Sequence, residues 1–347
     1  MAVVAGELAT RKRLVERQVT GTETPAKRKG DGDMSGARQK LDRFREANEY
    51  LDDPERLNAQ FVEDGYLFFR GILEGVESVK RDFVSILQAQ GAVKDGASEP
   101  VWTGMDVDQI DDDGLYRACA DCELFKSRHN TEIFQRIFGE PVFVFRSPTV
   151  RYSLPHDPEH VSPPHQDYFF VRINQEFRTF WIPLMDIDEE VGGLAIAPGV
   201  HKLGLFNHTE ADHVYSYVFK GRKQMGIPLE SVPRPWLTTD YRPGDLLVFH
   251  NLMVHWALPN LSDRIRLSID NRCQPINAAR TWQCEKSILE ARAFRQTAQR
   301  IAMDEGASEE LFEAIVIQLM GRNLEPGRAQ IKTLMTELSG SSEIFPS

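Results

Sequence analysis

The spacing of hydrophobic and polar residues changes twice along the chain. The stretches "LDRFREANEYL" and "PERLNAQFVEDGYLFF", beginning at residues 41 and 54, space their apolar residues as short helices do. The second continues through Asp64 and Gly65 into an aromatic run that predicts a strand. Amphipathic helices are predicted over about residues 75–91 and 118–138.

The middle of the chain consists of short runs that are typical of β-strands. These runs are "PVFVFRSPTVRYSL", "FRTFWIPLMDI", "GGLAIAPG", "GDLLVFH" and "RIRLSIDNRC", and Gly, Pro, Asn and Asp separate them. Helical spacing returns from about residue 285, as in "SEELFEAIVIQLM". We therefore predict a mostly β protein, a sandwich or barrel with flanking helices at both ends. Residues 203–236 are long for a connection, which predicts a lid or binding loop.

Residues 1–40 differ from the rest because they mix basic, acidic, Gly and Thr residues without sustained apolar periodicity. This composition predicts a disordered tail, which leaves residues 41–347 as a single domain. Glu7, Glu16 and Glu23 argue against a transit peptide, since such peptides are poor in acidic residues.

Composition and charge narrow the class of protein. The 347 residues are 41% hydrophobic and 27% charged, as in ordinary globular proteins. A net charge of -11 argues against nucleic acid as a partner, because phosphate binding needs an excess of basic residues. No apolar run is long enough for a membrane span or a secretory signal, so we expect a cytoplasmic protein with a small-molecule partner. Four cysteines are too few for a disulfide scaffold.

The candidate chemistry begins in "PPHQDYFFVR", at residues 163–172. On a strand, His165 and Asp167 project from the same face and Gln166 from the other. A third metal ligand is expected from "GDLLVFHNLMVHWALPNLSDRIRLSI", which contains His250 and His255. These two are five residues apart, so on a regular strand at most one of them joins the site, and the pattern leaves the choice open.

Two histidines and one carboxylate form the donor set that suits non-haem Fe(II), whereas a structural zinc site prefers four ligands and often thiolates. Iron that activates O₂ needs electrons, and the sequence has no Gly-rich dinucleotide fingerprint. A small keto acid chelated to the iron could supply these electrons, and its distal carboxylate would need a fixed cation. Arg264 and Arg266 share a face by their spacing, and a guanidinium matches a carboxylate in two-point contact.

These pieces resemble the phytanoyl-CoA dioxygenase family of Fe(II)/2-oxoglutarate oxygenases. The resemblance covers roughly residues 60–275 and rests on four stretches in order: "FVEDGYLFFRGIL", "PPHQDYFF", "FWIPLMDIDEEVGGLAIAPGVHK" and "GDLLVFHNLMVHWALPNLSDRIRLSI". It implies a double-stranded β-helix, the jelly roll of cupin-like proteins, over about residues 140–275. The C-terminal helical extension would then cover about residues 276–340.

The resemblance also implies roles for individual residues. The family's iron ligands fall on His165, Asp167 and His255, which selects His255 over His250. The arginine for 2-oxoglutarate falls on Arg266. Further residues are carried over with less specific motifs: Gln166, Trp181 and Arg151 beside the cosubstrate, and Arg264, His156 and Tyr168 as candidates for substrate contact. An acidic residue at the position of Asp167 disfavours halogenation.

The implied activity is hydroxylation, or another oxidation, of a small organic metabolite. Fe(II), 2-oxoglutarate and O₂ are the implied cofactors, ascorbate is expected to help in vitro, and succinate and CO₂ are the coproducts. Two alternatives remain: a cupin-like metalloenzyme that uses no 2-oxoglutarate, and a metal-free binding protein of the same fold. The sequence does not identify the substrate or the oligomeric state.

Overall fold

A computed structural model describes residues 41–157, 161–171, 174–210, 218–219, 222–223 and 225–339. The predicted tail, residues 1–40, lies outside this part of the chain. Helices occupy both ends of the described chain. Their bounds are α1 Pro54–Asp64, α2 Val76–Ala89, α3 Asp112–Asp121, α4 Arg128–Phe138, α5 Asp167–Phe170, α6 Trp282–Glu285, α7 Ile288–Asp304, α8 Glu309–Gly321 and α9 Arg328–Ser339.

Fourteen strands are found among the described residues. Their bounds are β1 Asp42–Arg43, β2 Tyr66–Phe69, β3 Val142–Val144, β4 Thr149–Ser153, β5 Arg178–Pro183, β6 Leu194–Ile196, β7 Thr209–Glu210, β8 Val218–Phe219, β9 Arg222–Lys223, β10 Met225–Gly226, β11 Leu237–Thr238, β12 Leu246–His250, β13 His255–Ala257 and β14 Arg266–Pro275. The molecule is therefore a mixed helix and sheet protein.

The larger sheet has six antiparallel strands in the order β2-β12-β5-β14-β3, with β4 also pairing with β14. One face packs against the helices: Val248, Phe180 and Ile269 lie in a continuous core with Phe83 of α2 and Phe134 of α4. Side chains alternate along a strand, so the neighbours of these apolar residues point away from the helices. That second face carries the candidate site.

The smaller sheet has four strands in the order β1-β11-β6-β13. Its pairs are antiparallel except β1 with β11, which is parallel. β12 belongs to the larger sheet and β13 to the smaller, although only residues 251–254 separate them. This change of sheet matters for the choice between His250 and His255.

The predicted turn at Asp64 and Gly65 ends α1 and leads into β2. Gly65 has a φ of 77°, and a Cβ atom there would lie 2.2 Å from Nδ1 of His201. Only glycine meets both conditions without strain. The expected amphipathic helix at 75–91 is present as α2, whereas the helix expected at 118–138 is two helices, α3 and α4, joined by a 3-10 turn.

The C-terminal helices α7, α8 and α9 have a hydrophobic core of their own, which includes Phe294, Phe312 and Leu319. Arg292 connects α7 to α3, since it pairs with Asp113 at 2.5 Å and lies over the ring of Tyr116. None of the described helices combines the length and the apolar character that crossing a membrane requires.

Candidate metal centre

Two backbone features bring the side chains of His165 and Asp167 together: a bridge between His165 and His255, and a short helix that begins at Asp167. The backbone of His165 exchanges two hydrogen bonds with that of His255, at 2.9 and 3.0 Å. Gln166 is extended, with φ -116° and ψ 129°, and Asp167 begins α5. The predicted strand is thus wrong beyond Gln166. The expected convergence still occurs, because the single extended residue keeps both side chains on one side.

The three side chains meet in the interior. Oδ1 of Asp167 lies 3.8 Å from Nε2 of His165 and 3.7 Å from Nε2 of His255. Each residue is at most 7% exposed, and one ligand atom from each lies within 4.8 Å of the others. Two nitrogens and one oxygen around one point form a donor set for a divalent transition metal.

Backbone carbonyls determine which nitrogen of each imidazole faces the centre. Nδ1 of His165 lies 2.8 Å from the carbonyl oxygen of Pro163, and Nδ1 of His255 lies 3.1 Å from that of Met253. A carbonyl only accepts hydrogen bonds, so each Nδ1 donates its proton and each Nε2 keeps a free lone pair. This orientation is the one that metal-binding histidines require.

The second oxygen of Asp167 is held from the larger sheet. The Thr179 hydroxyl donates to Oδ2 at 2.6 Å, and Arg272 donates to it at 3.1 Å. Sequence reasoning missed both residues. A signal was present for Arg272, because Arg266, Ser268, Asp270 and Arg272 alternate along β14 and all are buried.

The pKa shifts of these three residues favour the protonation states that bind a cation. Burial lowers the pKa of His165 to about 3, and the neighbouring His255 adds to the shift. Burial also lowers the pKa of His255. For Asp167, burial raises the pKa, but Arg272, both imidazoles and Thr179 together hold it below its ordinary value. At neutral pH the centre therefore contains two neutral imidazoles and one carboxylate.

Arg266 is a buried cation that lines the same cavity, and no carboxylate among the described residues pairs with it. It is 4% exposed, its Nη1 donates to the carbonyl of Gly192 at 3.3 Å, and its Nε has no hydrogen-bond partner among the described residues. Burial and the nearby Arg151 lower its pKa to about 10. A guanidinium in this state is matched by a ligand carboxylate, which restores both the charge balance and the missing hydrogen bond.

Residues of both sheets line this cavity, which measures about 40 Å³. That volume accommodates a metal ion with water-sized ligands, and Arg151 and Arg266 both line the cavity. The residues at its wall are Arg151, Ser162, His165, Asp167, Thr179, Trp181, Leu194, Phe249, His255, Ala257, Arg266 and Asp270.

Gln166 does not line the cavity, so the structure gives no support to its expected place beside the cosubstrate. Its side-chain amide donates to the carbonyls of Gly204 and Leu252, at 2.9 and 2.7 Å, and accepts from the backbone of Phe206 at 2.8 Å. The extended backbone turns this side chain away from the two candidate ligands that flank it, His165 and Asp167. Gln166 attaches the start of the long 203–236 segment to the turn before β13.

Replacing Gln166 with leucine should therefore lower stability. The change leaves the buried carbonyl of Leu252 and the partly buried carbonyl of Gly204 and N–H of Phe206 without this partner, and we expect the free energy of unfolding to fall by about 1–3 kcal/mol. Urea denaturation of the full chain measures the loss. A loss below about 0.5 kcal/mol, the size typical of a surface substitution, would contradict this role.

The three candidates for substrate contact lie outside the cavity wall. Arg264 precedes β14 and approaches Asp188 at 3.7 Å. His156 is exposed, with a φ of 54°, just before residues 158–160, which lie outside the described chain. Tyr168 packs with Phe145 and Phe177 in a separate apolar cluster. Their contact with substrate is not supported by these positions.

Comparison with known proteins identifies a family and two relatives. A model of the family described as phytanoyl-CoA dioxygenase (PhyH) matches residues 61–268. Two curated relatives are 1-deoxypentalenic acid 11-beta-hydroxylases, from Streptomyces arenae and Streptomyces exfoliatus. They are 34% and 32% identical to this chain over 241 residues, and each alignment covers 66% of this chain and 84% of the relative.

A solved structure with a similar backbone is that of the non-heme alpha ketoglutarate dependent carbocyclase SnoK from nogalamycin biosynthesis. It is 20% identical, with a TM-score of 0.44, and the match covers 67% of this chain and 87% of that one.

Proposed function

Because the chain belongs to the phytanoyl-CoA dioxygenase family, we propose that it is an Fe(II)- and 2-oxoglutarate-dependent dioxygenase that hydroxylates a small organic molecule. The observation that carries the proposal is the proximity of two features in one cavity. The first is a buried donor set of two imidazoles and one carboxylate, and the second is a buried arginine without an anion.

The donor atoms fit iron. Nε2 of His165, Nε2 of His255 and Oδ1 of Asp167 would hold the ion and leave its remaining positions to small ligands. When bound with 2-oxoglutarate and O₂, iron supplies the oxidising chemistry that converts the keto acid to succinate and CO₂ and hydroxylates the substrate.

Arg266 would bind the distal carboxylate of 2-oxoglutarate. Its unpartnered Nε and its depressed pKa both favour an anion at this point. Arg151 would lie beside the keto acid, since it lines the same cavity, and Asp270 accepts from its Nε at 2.5 Å. Trp181 would form one wall, because it is buried in the cavity and packs edge-on against Tyr241. These groups bind and orient the diacid, and the apolar surface excludes bulk water.

The substrate is proposed to be a small and largely apolar molecule, such as an organic acid. Leu194, Phe249 and Ala257 give the cavity an apolar wall, and the two relatives named above are hydroxylases of an organic acid. We also propose that the two sheets form a double-stranded β-helix, since residues of both surround one site. Residues 41–347 would then act as one catalytic domain.

Consumption of 2-oxoglutarate tests the proposal. The metal-depleted chain is loaded with Fe(II) and incubated in air with 2-oxoglutarate and ascorbate, alone and with a panel of small organic acids and amides. We expect succinate to form, and a true substrate to accelerate it and gain one oxygen atom by mass spectrometry. Substrate turnover without loss of 2-oxoglutarate would favour a cupin-like enzyme instead. Failure to bind Fe(II) would favour a metal-free binding protein.

A further inference from the structure

A row of alternating charges runs from the metal ligand Asp167 to the cavity residue Arg151. Arg272 donates to Oδ2 of Asp167 at 3.1 Å and to Oδ1 of Asp270 at 2.7 Å. The other oxygen of Asp270 accepts from Nε of Arg151 at 2.5 Å. We propose that Arg272 is a positioning residue that restricts Asp167 to binding metal through one oxygen, an inference that rests on the proposed function.

Donors from two neighbouring strands contact the same oxygen, Oδ2 of Asp167. Arg272 on β14 is directly opposite Thr179 on β5 in the sheet register, and both donate to Oδ2 of Asp167. A free carboxylate offers lone pairs on both oxygens and can bind a metal through one or two of them. With Oδ2 occupied, Oδ1 is the oxygen that faces Nε2 of each histidine. A bound metal would thereby keep one position open for a further ligand.

We call the two donors on Oδ2 of Asp167, Thr179 and Arg272, the clamp. Asp270 makes this clamp compatible with a cation at the centre. A lone guanidinium so close to a divalent ion would repel it, and the repulsion is strong in the interior. Asp270 pairs with the second arm of Arg272, so the row of two cations and two anions is neutral before metal binds. Asp167, Asp270 and Arg272 are all buried, so their orientation depends on one another rather than on solvent.

An ion pair at this depth is weak evidence for a role in stability, since apolar residues often replace such pairs without loss. The direction of the contacts indicates a role in orientation instead. Thr179 and Arg272 contact the oxygen that points away from the histidines and leave the other one unobstructed. The effect of Arg272 should therefore be visible in metal binding itself, apart from any effect on folding.

Co(II) titration of the full, metal-depleted chain tests the clamp, because the visible spectrum of Co(II) reports its coordination. We expect Arg272→Gln to weaken Co(II) binding by about 10–100-fold, the range for residues that orient metal ligands, and to alter the spectrum. Arg272→Lys should restore part of the affinity, which keeps the test valid if the glutamine variant folds poorly.

The matched control is Arg70→Gln. It removes an ion pair of similar length, 2.7 Å, with the buried Asp245 near the end of β2, away from the metal centre. We expect this variant to lose thermal stability and keep the Co(II) affinity and spectrum. The clamp is overturned if Arg272→Gln also keeps both. Failure of the unaltered chain to bind Co(II) would instead overturn the proposed function.

Chemical rescue gives a second and independent readout. In Asp167→Ala, the guanidinium of Arg272 and the hydroxyl of Thr179 face the space that the carboxylate has left. We expect sodium formate to occupy that space and restore Co(II) binding, and to fail in the double variant Asp167→Ala/Arg272→Gln. Equal behaviour of the two variants, whether both respond or neither does, overturns the proposal.

Discussion

Changing His255 to alanine is expected to weaken Fe(II) or Co(II) binding by more than about 100-fold, beyond the range for residues that merely orient ligands. Succinate formation should fall to background. The reason is geometric, because Nε2 of His255 is one of the three atoms that converge on the centre and its Nδ1 is committed to the carbonyl of Met253. Two remaining protein ligands hold a divalent ion poorly.

His250→Ala is the matched control. His250 lies on the opposite side of the larger sheet, against the rings of His201 and Phe61, at centroid distances of 5.1 and 6.0 Å. Its loss should reduce stability and leave metal binding and succinate formation intact. If His250→Ala abolishes metal binding and His255→Ala does not, the ligand assignment is wrong. Metal titration and succinate quantification on both variants decide between them.

The sequence alone could not choose between these histidines by strand parity. The parity rule assumes one continuous strand, but β12 ends at His250 and β13 begins at His255. The two strands belong to different sheets, so the faces of one do not continue in the other. The family resemblance identified His255 because a motif encodes the spacing that results from this change of sheet, whatever the local geometry.

The same limit explains why the sequence did not predict the contacts of Arg264 and Gln166. Arg264 and Arg266 share a face only if both are on a strand, whereas β14 begins at Arg266 and the carbonyl of Arg264 accepts from Asn260 at 2.6 Å in the preceding turn. Gln166 faces away from the metal ligands, as alternation predicts, but its partners lie about 40 and 86 positions further along the chain. Local patterns do not reveal contacts at that separation.

What local patterns did capture is the set of buried strands and the helix α2, because their apolar residues recur with the period of the element itself. The same reasoning could have identified Arg272 as a residue on the cavity side of the sheet. It follows Arg266 at an even spacing along the run "RLSIDNR", so its side chain faces the cavity side of the sheet. Its contact with Asp167, 105 positions away, required the tertiary structure.

Arg266→Gln should weaken 2-oxoglutarate binding and leave metal binding unchanged. Removing one partner of a buried charge pair costs about 2–5 kcal/mol, or roughly 30-fold to several-thousand-fold in affinity. Arg266 is not among the groups that hold Asp167, so Co(II) affinity should stay constant. Without ligand, Arg266 is a buried cation with an unpartnered Nε, so the variant should unfold at the same or a higher temperature than the unaltered chain.

Arg264→Gln is the control for this prediction, since it removes the same charge two residues earlier. Arg264 approaches Asp188, whose side chain is largely exposed, and an ion pair of that kind contributes about 0–1 kcal/mol. The KM for 2-oxoglutarate should therefore remain near that of the unaltered chain. A raised KM in Arg264→Gln together with a normal one in Arg266→Gln would move the carboxylate site to the other arginine. Equal KM values in all three proteins would mean that neither guanidinium binds the diacid.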